Sequence, residues 1–224
     1  MDLFNTDVVR QYGWTLLQGL SVTVLLTAIV ILLSLALAIP IALFRLSPNA
    51  ILRIITGFYV EVIRGTPLLL QLVYIYYVLP GLGINLDPFA AAVVGLTLNY
   101  TAYMSEVYRG GILAVPKNQW EAAATVGMTT TTAFLRIILP QVFRIVTPTL
   151  GNYFISLFKD TALASVVTVQ ELTFTGQIIS ARSYQYFTIY TVTGLLYLAV
   201  GYPSALFVRW LERRSSRAYR RRSA

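Results

Sequence analysis

Residues 121–140 read EAAATVGMTTTTAFLRIILP, a stretch that stands apart from everything around it. Trp120 to Ala124 is a run of helix formers. Gly127 suits the left-handed conformation that ends a helix. Thr129 or Thr130 can cap a second helix, which carries Phe134, Leu135, Ile137 and Ile138 toward Pro140. Two short helices at an angle make an elbow, and the small face Ala122, Ala123 and Ala124 lets another protein approach closely. Glu121 places a carboxylate at the positive end of the first helix. The whole connection, about 114–142, is longer than a tight turn needs, and long ordered loops tend to carry function.

The sequence on either side is built for lipid. The 224 residues are 57% hydrophobic and 12% charged, with a mean hydropathy of +0.69. A soluble domain carries roughly twice that charge density. Val22 to Phe44 has no ionisable residue over 23 positions, enough for the ~20 residues that cross a bilayer core and too long for a signal peptide. There is no cysteine and no histidine, so disulfides, thiolate sites and imidazole chemistry are excluded. No catalytic residue and no metal site is expected.

Five apolar segments read as membrane-spanning helices, about 20–44, 54–79, 89–108, 143–165 and 188–210. The fold expected is therefore an all-α membrane protein forming a single transmembrane domain over 1–224. Basic residues orient it. Arg45, Arg53, Arg109, Lys117, Arg136, Arg144, Arg209, Arg213, Arg214, Arg217, Arg220, Arg221 and Arg222 fall on one side, thirteen in all, against Arg10 and Arg182 on the other. This bias puts the elbow and the C-terminus in the cytoplasm and the N-terminus outside. Pro80 to Pro88 reads as a short outer turn. Trp14, Tyr184, Tyr186, Phe187 and Trp210 mark the water interfaces. The arginine-rich tail suits anionic lipid headgroups rather than nucleic acid.

Polar side chains recur along single faces of three spans. Glu61, Arg64 and Gln71 lie in the second, Asn99, Tyr103 and Glu106 in the third, and Asn152, Ser156, Lys159 and Asp160 in the fourth. Groups of this kind at membrane depth usually face a pathway or one another. Glu61 and Arg64 are spaced to pair within their helix, and Pro67 removes a backbone bond and permits a bend. Three polar stripes in one small bundle point to a shared aqueous interior.

The order Glu121-Ala122-Ala123, three residues, Gly127, nine residues, Ile137-x-Leu139-Pro140 resembles the loop of membrane subunits of bacterial ATP-driven importers. The stretches 61–71 (EVIRGTPLLLQ), 102–112 (AYMSEVYRGGI), 114–117 (AVPK) and 157–163 (LFKDTAL) look like the histidine/glutamine/arginine branch of the polar amino-acid ABC permeases. The likeness runs from the first span to the tail. Asn118, where glycine is common, and Ala162, where serine is frequent, are mild departures.

That resemblance implies the type I ABC importer permease fold in a bacterial inner (plasma) membrane. It implies as partners two copies of an ATP-binding subunit, a second permease subunit (identical or paralogous) and an extracytoplasmic solute-binding protein, besides membrane lipid. Glu121, Ala122, Ala123 and Gly127 would contact the ATP-binding subunit. ATP and Mg would sit on that partner, since this chain has no G-x-x-x-x-G-K-[ST] motif and binds no cofactor of its own. The cargo implied is a small polar amino acid or a derivative such as an ectoine-like solute or an opine. Lys159 and Asp160 could supply the partners for its carboxylate and ammonium. The rival reading, a secondary transporter or channel, commonly shows inverted repeats and broken midplane helices. Five spans and a cytoplasmic elbow argue against it.

Overall fold

The computed structural model describes residues 4–220; Arg221 and Arg222 of the basic tail lie outside the described residues. Every regular element among them is helical. Polar residues placed at helix starts set the boundaries. Asn5 caps α1 (Thr6–Arg45), accepting hydrogen bonds from the amides of Asp7 and Val8. Asn49 does the same for α2 (Ala50–Gly65). Asp87, followed by Pro88 in the first turn, caps α4 (Pro88–Ala114). Each cap satisfies amides that the first turn leaves without partners.

Expected and observed elements differ in four places. The first helix starts at Thr6, far ahead of the expected residue 20, and its 40 residues extend roughly 60 Å. The second span is not a single rod. It breaks at Gly65–Pro67, and α2 meets the segment Leu68–Leu82, which begins as α3 (Leu68–Val73), at 107°. The elbow consists of α5 (Lys117–Thr125) and a second helix that does not stop at Pro140. From α6 (Thr130–Ala133) the chain stays helical through α7 (Leu139–Asp160) to Val167. Finally, the stretch between the expected spans 143–165 and 188–210 contains α8 (Leu172–Ser183), a helix too short to cross a bilayer.

Proline explains two of these paths. A proline inside a helix lacks an N–H and crowds the preceding turn. At both Leu79-Pro80 and Leu139-Pro140 a five-residue π turn stands directly upstream, Tyr74–Val78 and Phe134–Ile138. The wider turn absorbs the crowding, so the helical path continues.

Among the described residues three helices are long and apolar enough to cross a membrane, within Thr6–Arg45, Thr130–Val167 and Tyr186–Leu211, and the bent pair makes a fourth if it is one span. The last of these belongs to α9 (Tyr186–Arg220). At 27 residues α4 is also long enough. Its polar content reflects its position as the central rod, with Leu96, Asn99, Tyr100, Met104, Ser105 and Tyr108 all buried by neighbouring helices. Gly95 lets α3 close in, because a Cβ there would stand 2.7 Å from Leu72 Cδ2.

A smaller core joins the first half of α1 to α8 and α9 through Leu16, Leu172, Ile179 and Ile189. Its polar centre is Glu171, fully buried, which sequence reading passed over. Its carboxylate caps α8 by accepting from the amides of Thr173 (2.9 Å) and Phe174 (2.7 Å), and it also accepts from the Tyr197 hydroxyl of α9 (2.9 Å). Thr23 of α1 accepts from the Leu172 amide at 3.1 Å and lies 3.5 Å from Glu171 Oε2, to which its hydroxyl donates, so three helices meet at this carboxylate. A buried carboxylate with charge-assisted bonds contributes more than an ordinary cap. Glu171→Ala is expected to destabilise the folded protein by on the order of 2 kcal/mol, read as a lower Tm in detergent, with Glu171→Gln intermediate. An unchanged Tm for the alanine variant would contradict this account.

Candidate functional site: a polar cavity beside a broken helix

The break at Gly65–Pro67 creates a demand that its surroundings meet. Pro67 has no N–H, so the carbonyl of Ile63, which an unbroken helix would pair with residue 67, lacks its usual donor. Gln71 supplies one, its Nε2 donating to Ile63 O at 2.7 Å and to Thr66 O at 3.1 Å. The amide oxygen of Gln71 accepts from Asn99 Nδ2 at 3.1 Å, fastening the repaired break to α4. Thr66 Oγ1 donates to Val62 O at 2.9 Å.

Beside this break lies a cavity of about 470 Å³ between α2, α4 and α7. Arg64, Gly65, Thr66, Pro67 and Leu68 form one wall. Asn99, Tyr100 and Tyr103 of α4 form the second, and Tyr153, Ser156 and Asp160 of α7 the third. Tyr100 donates its hydroxyl to Asp160 Oδ2 at 2.7 Å. Tyr153 stacks edge-on against Tyr100 and tilts against Tyr103, with ring centroids 6.2 and 6.0 Å apart. The guanidinium carbon of Arg64 lies 5.3 Å from the Tyr103 centroid. The cavity thus holds one cation, one anion, three neutral polar side chains (Thr66, Asn99 and Ser156) and three phenols. This is a lining suited to a small zwitterion with room for a side chain.

The three stripes are divided by this geometry. Arg64, Asn99, Tyr103, Ser156 and Asp160 line the cavity, and Gln71 stands behind it as the repair of the break. Asn152 and Lys159 are exposed and do not line it, and the basic side chain among the lining residues is that of Arg64. Glu61 and Arg64 do not pair with each other in the structure. Glu61 lies 3.8 Å from Arg45, and Arg64 3.9 Å from Glu106. Glu106 also binds Arg45 and, at 2.9 Å, Arg109. Tyr100 and Tyr153 were missed. The face of α7 that points inward runs 153–156–160, a three-then-four spacing that an aromatic residue hides when only polar groups are tracked.

At the elbow, α5 ends as the glycine suggests. Gly127 has φ +77°, its amide bonds to Ala124 O, and that of Met128 bonds to Ala123 O, the pattern of a left-handed helix terminus. Thr129 caps the next helix through the Thr132 amide. Trp120 stacks on Phe134 with centroids 6.4 Å apart, locking α5 onto the start of the long helix. Glu121, Ala122 and Gly127 are exposed, whereas Ala123 is buried against the body. Val126 is 74% exposed at the tip, an apolar residue that sequence reading did not single out.

Residues 31–217 match the family described as the binding-protein-dependent transport system inner membrane component. The chain belongs to this family. It is a membrane component of a transport system and is not an enzyme. It is 44% identical over 213 residues to the L-cystine transport system permease protein TcyB of Bacillus subtilis (strain 168), covering 94% of this chain and 91% of that one. It is 37% identical over 207 residues to the nopaline transport system permease protein NocM of Agrobacterium fabrum, covering 88% and 86%. Among solved structures, an amino acid ABC transporter crystallised with histidines superposes with a TM-score of 0.85 at 35% identity, covering 92% of this chain and 96% of that one. The MetNI methionine transporter shares the fold with a TM-score of 0.71 at 19% identity, covering 90% and 98%.

The repair role of Gln71 can be checked directly. Gln71→Leu leaves the Asn99 amide without its partner and the Ile63 carbonyl with only the long 3.5 Å bond from Thr66 Oγ1, at a cost of on the order of 1–3 kcal/mol. The expected results are a lower Tm in detergent and a more rapidly exchanging backbone at 62–67 by hydrogen–deuterium exchange. Unaltered exchange there would rule the repair out.

Proposed function

We propose that this chain is a five-span permease subunit that passes a polar amino acid, or a derivative of one, inward across the bacterial inner membrane. The five spans are α1, the bent pair, α4, the long helix 130–167 and α9. The sign bias of the flanking arginines supports an outer N-terminus and a cytoplasmic elbow and C-terminus. The observation that carries the cargo assignment is the pairing of Arg64 with Asp160 in one cavity otherwise lined by neutral groups. Relatives named for cystine, nopaline and arginine transport support an amino-acid-like cargo.

Movement is driven from outside the chain. Two ATP-binding subunits, holding ATP and Mg, dock on the elbow through Glu121, Ala122 and Val126, with Gly127 setting its angle. Ala123 packs α5 to the body, so that a push on α5 passes through Trp120 and Phe134 into the long helix that carries Asp160. A second permease subunit completes the pathway, and an extracytoplasmic binding protein delivers the cargo. Cavity exposure alternates because nucleotide binding favours one state over the other.

Two experiments test this. In mild detergent the wild-type chain is expected to co-purify with its ATP-binding subunit, and Glu121→Lys to lose most of that partner while still reaching the membrane. Retention at wild-type level would overturn the docking assignment. In proteoliposomes, Asp160→Asn is expected to lower ATP-driven uptake by about tenfold or more, as loss of a charged hydrogen-bond partner in a cavity does. Uptake that ran without ATP on a sodium or proton gradient would replace this reading with a secondary transporter.

A further inference from the structure

Below the cavity, toward the end of the bundle where α1 and α4 finish, lies an unbalanced charge cluster. Arg45, Arg64 and Arg109 face Glu61 and Glu106, three guanidiniums against two carboxylates. The shares are unequal. Glu106 is 18% exposed and engaged by Arg45 and by Arg109, the latter through bonds of 2.9 to 3.2 Å. Arg64 reaches the same carboxylate only at 3.9 Å, and no hydrogen bond to its guanidinium occurs among the described residues. It is also the most exposed of the three arginines, at 40% against 17% for Arg45 and 32% for Arg109. Its other contact is the face of Tyr103, and it lines the cavity. The surplus positive charge of the cluster therefore sits on the residue that looks into the cavity.

We propose that Arg64 is the carboxylate-binding residue of the cavity, and that cargo and Glu106 compete for it. This rests on the cavity being the cargo site. A bound amino acid would place its ammonium near Asp160 and its carboxylate at Arg64, forming a bidentate pair that Glu106 at 3.9 Å does not offer. Arg64 then leaves the cluster, which falls to two guanidiniums on two carboxylates and becomes neutral. Occupancy is thereby signalled to the ends of α1 and α4 without movement of the cargo itself. An amine lacking the carboxylate satisfies Asp160 alone and leaves the cluster as it was.

The test uses the permease assembled with its ATP-binding subunit in lipid nanodiscs, without binding protein. The protein amino acids and L-cystine are screened by calorimetry, and the tightest is compared with its decarboxylated amine. Wild type is expected to prefer the amino acid by about tenfold or more, and Arg64→Gln to erase that preference. Glu106→Gln is expected to tighten amino-acid binding several-fold by releasing Arg64, and to do nothing in the Arg64→Gln background. If Glu106→Gln does not assemble, Glu106→Asp retracts the carboxylate by one methylene and is expected to act in the same direction. Tightening that survives in the double variant, or weakening by the single one, overturns the competition. Binding abolished by Asp160→Asn but indifferent to Arg64 overturns this inference alone. If no amino acid binds wild type, the cargo site itself falls.

Discussion

The constraint on which the structure depends is that a backbone in lipid must find its own hydrogen-bond partners. The chain breaks a helix at Gly65–Pro67 and then provides the missing donor from Gln71, eight residues beyond the orphaned Ile63 carbonyl. That repair fixes the geometry around it. It anchors the bend to Asn99 on the central helix and leaves Arg64 at the terminus of α2, where its long side chain can reach either the cavity or the cluster at Glu106. Without the break, residues 54–79 would be one rod, and the wall of the cavity made by Arg64 to Leu68 would not exist.

The rest of the molecule holds this arrangement between two fixed ends. On one side, Glu171 gathers α1, α8 and α9 around a single buried carboxylate. On the other, the elbow is bound by ring stacking and by a left-handed glycine terminus to the helix that ends at Asp160. The π turns ahead of Pro80 and Pro140 keep both paths helical where proline would otherwise stop them. A continuous helical path runs from the elbow to the cavity, widened at the π turn and carrying a second interior proline at Pro148.

Much of this was legible in the sequence. Composition and uncharged runs announced a helical membrane protein, and the elbow's order of helix formers, glycine and threonine forecast its two helices and the turn between them. Five of the ten polar residues picked by stripe line the cavity. The failures have physical causes. Lys159 and Asp160 are adjacent in sequence, and adjacent residues on a helix point about 100° apart, so only Asp160 faces inward. Glu61 and Arg64 have the right spacing to pair, but each lies closer to an opposite charge on another helix, Arg45 of α1 and Glu106 of α4. Tyr100 and Tyr153 look like ordinary apolar body residues until their hydroxyls and rings are placed around Asp160. Glu171 sits in a segment with no periodic signal, and only the packing of three helices shows why a carboxylate is buried there.

The central claim is that cargo sits in the cavity beside the broken helix, between Arg64 and Asp160. The most direct measurement is a cryo-electron microscopy map of the assembled transporter with saturating amino acid. The account predicts ligand density bridging those two side chains, with Arg64 withdrawn from Glu106. Ligand density elsewhere along the pathway, or a filled cavity with Arg64 still on Glu106, would contradict it.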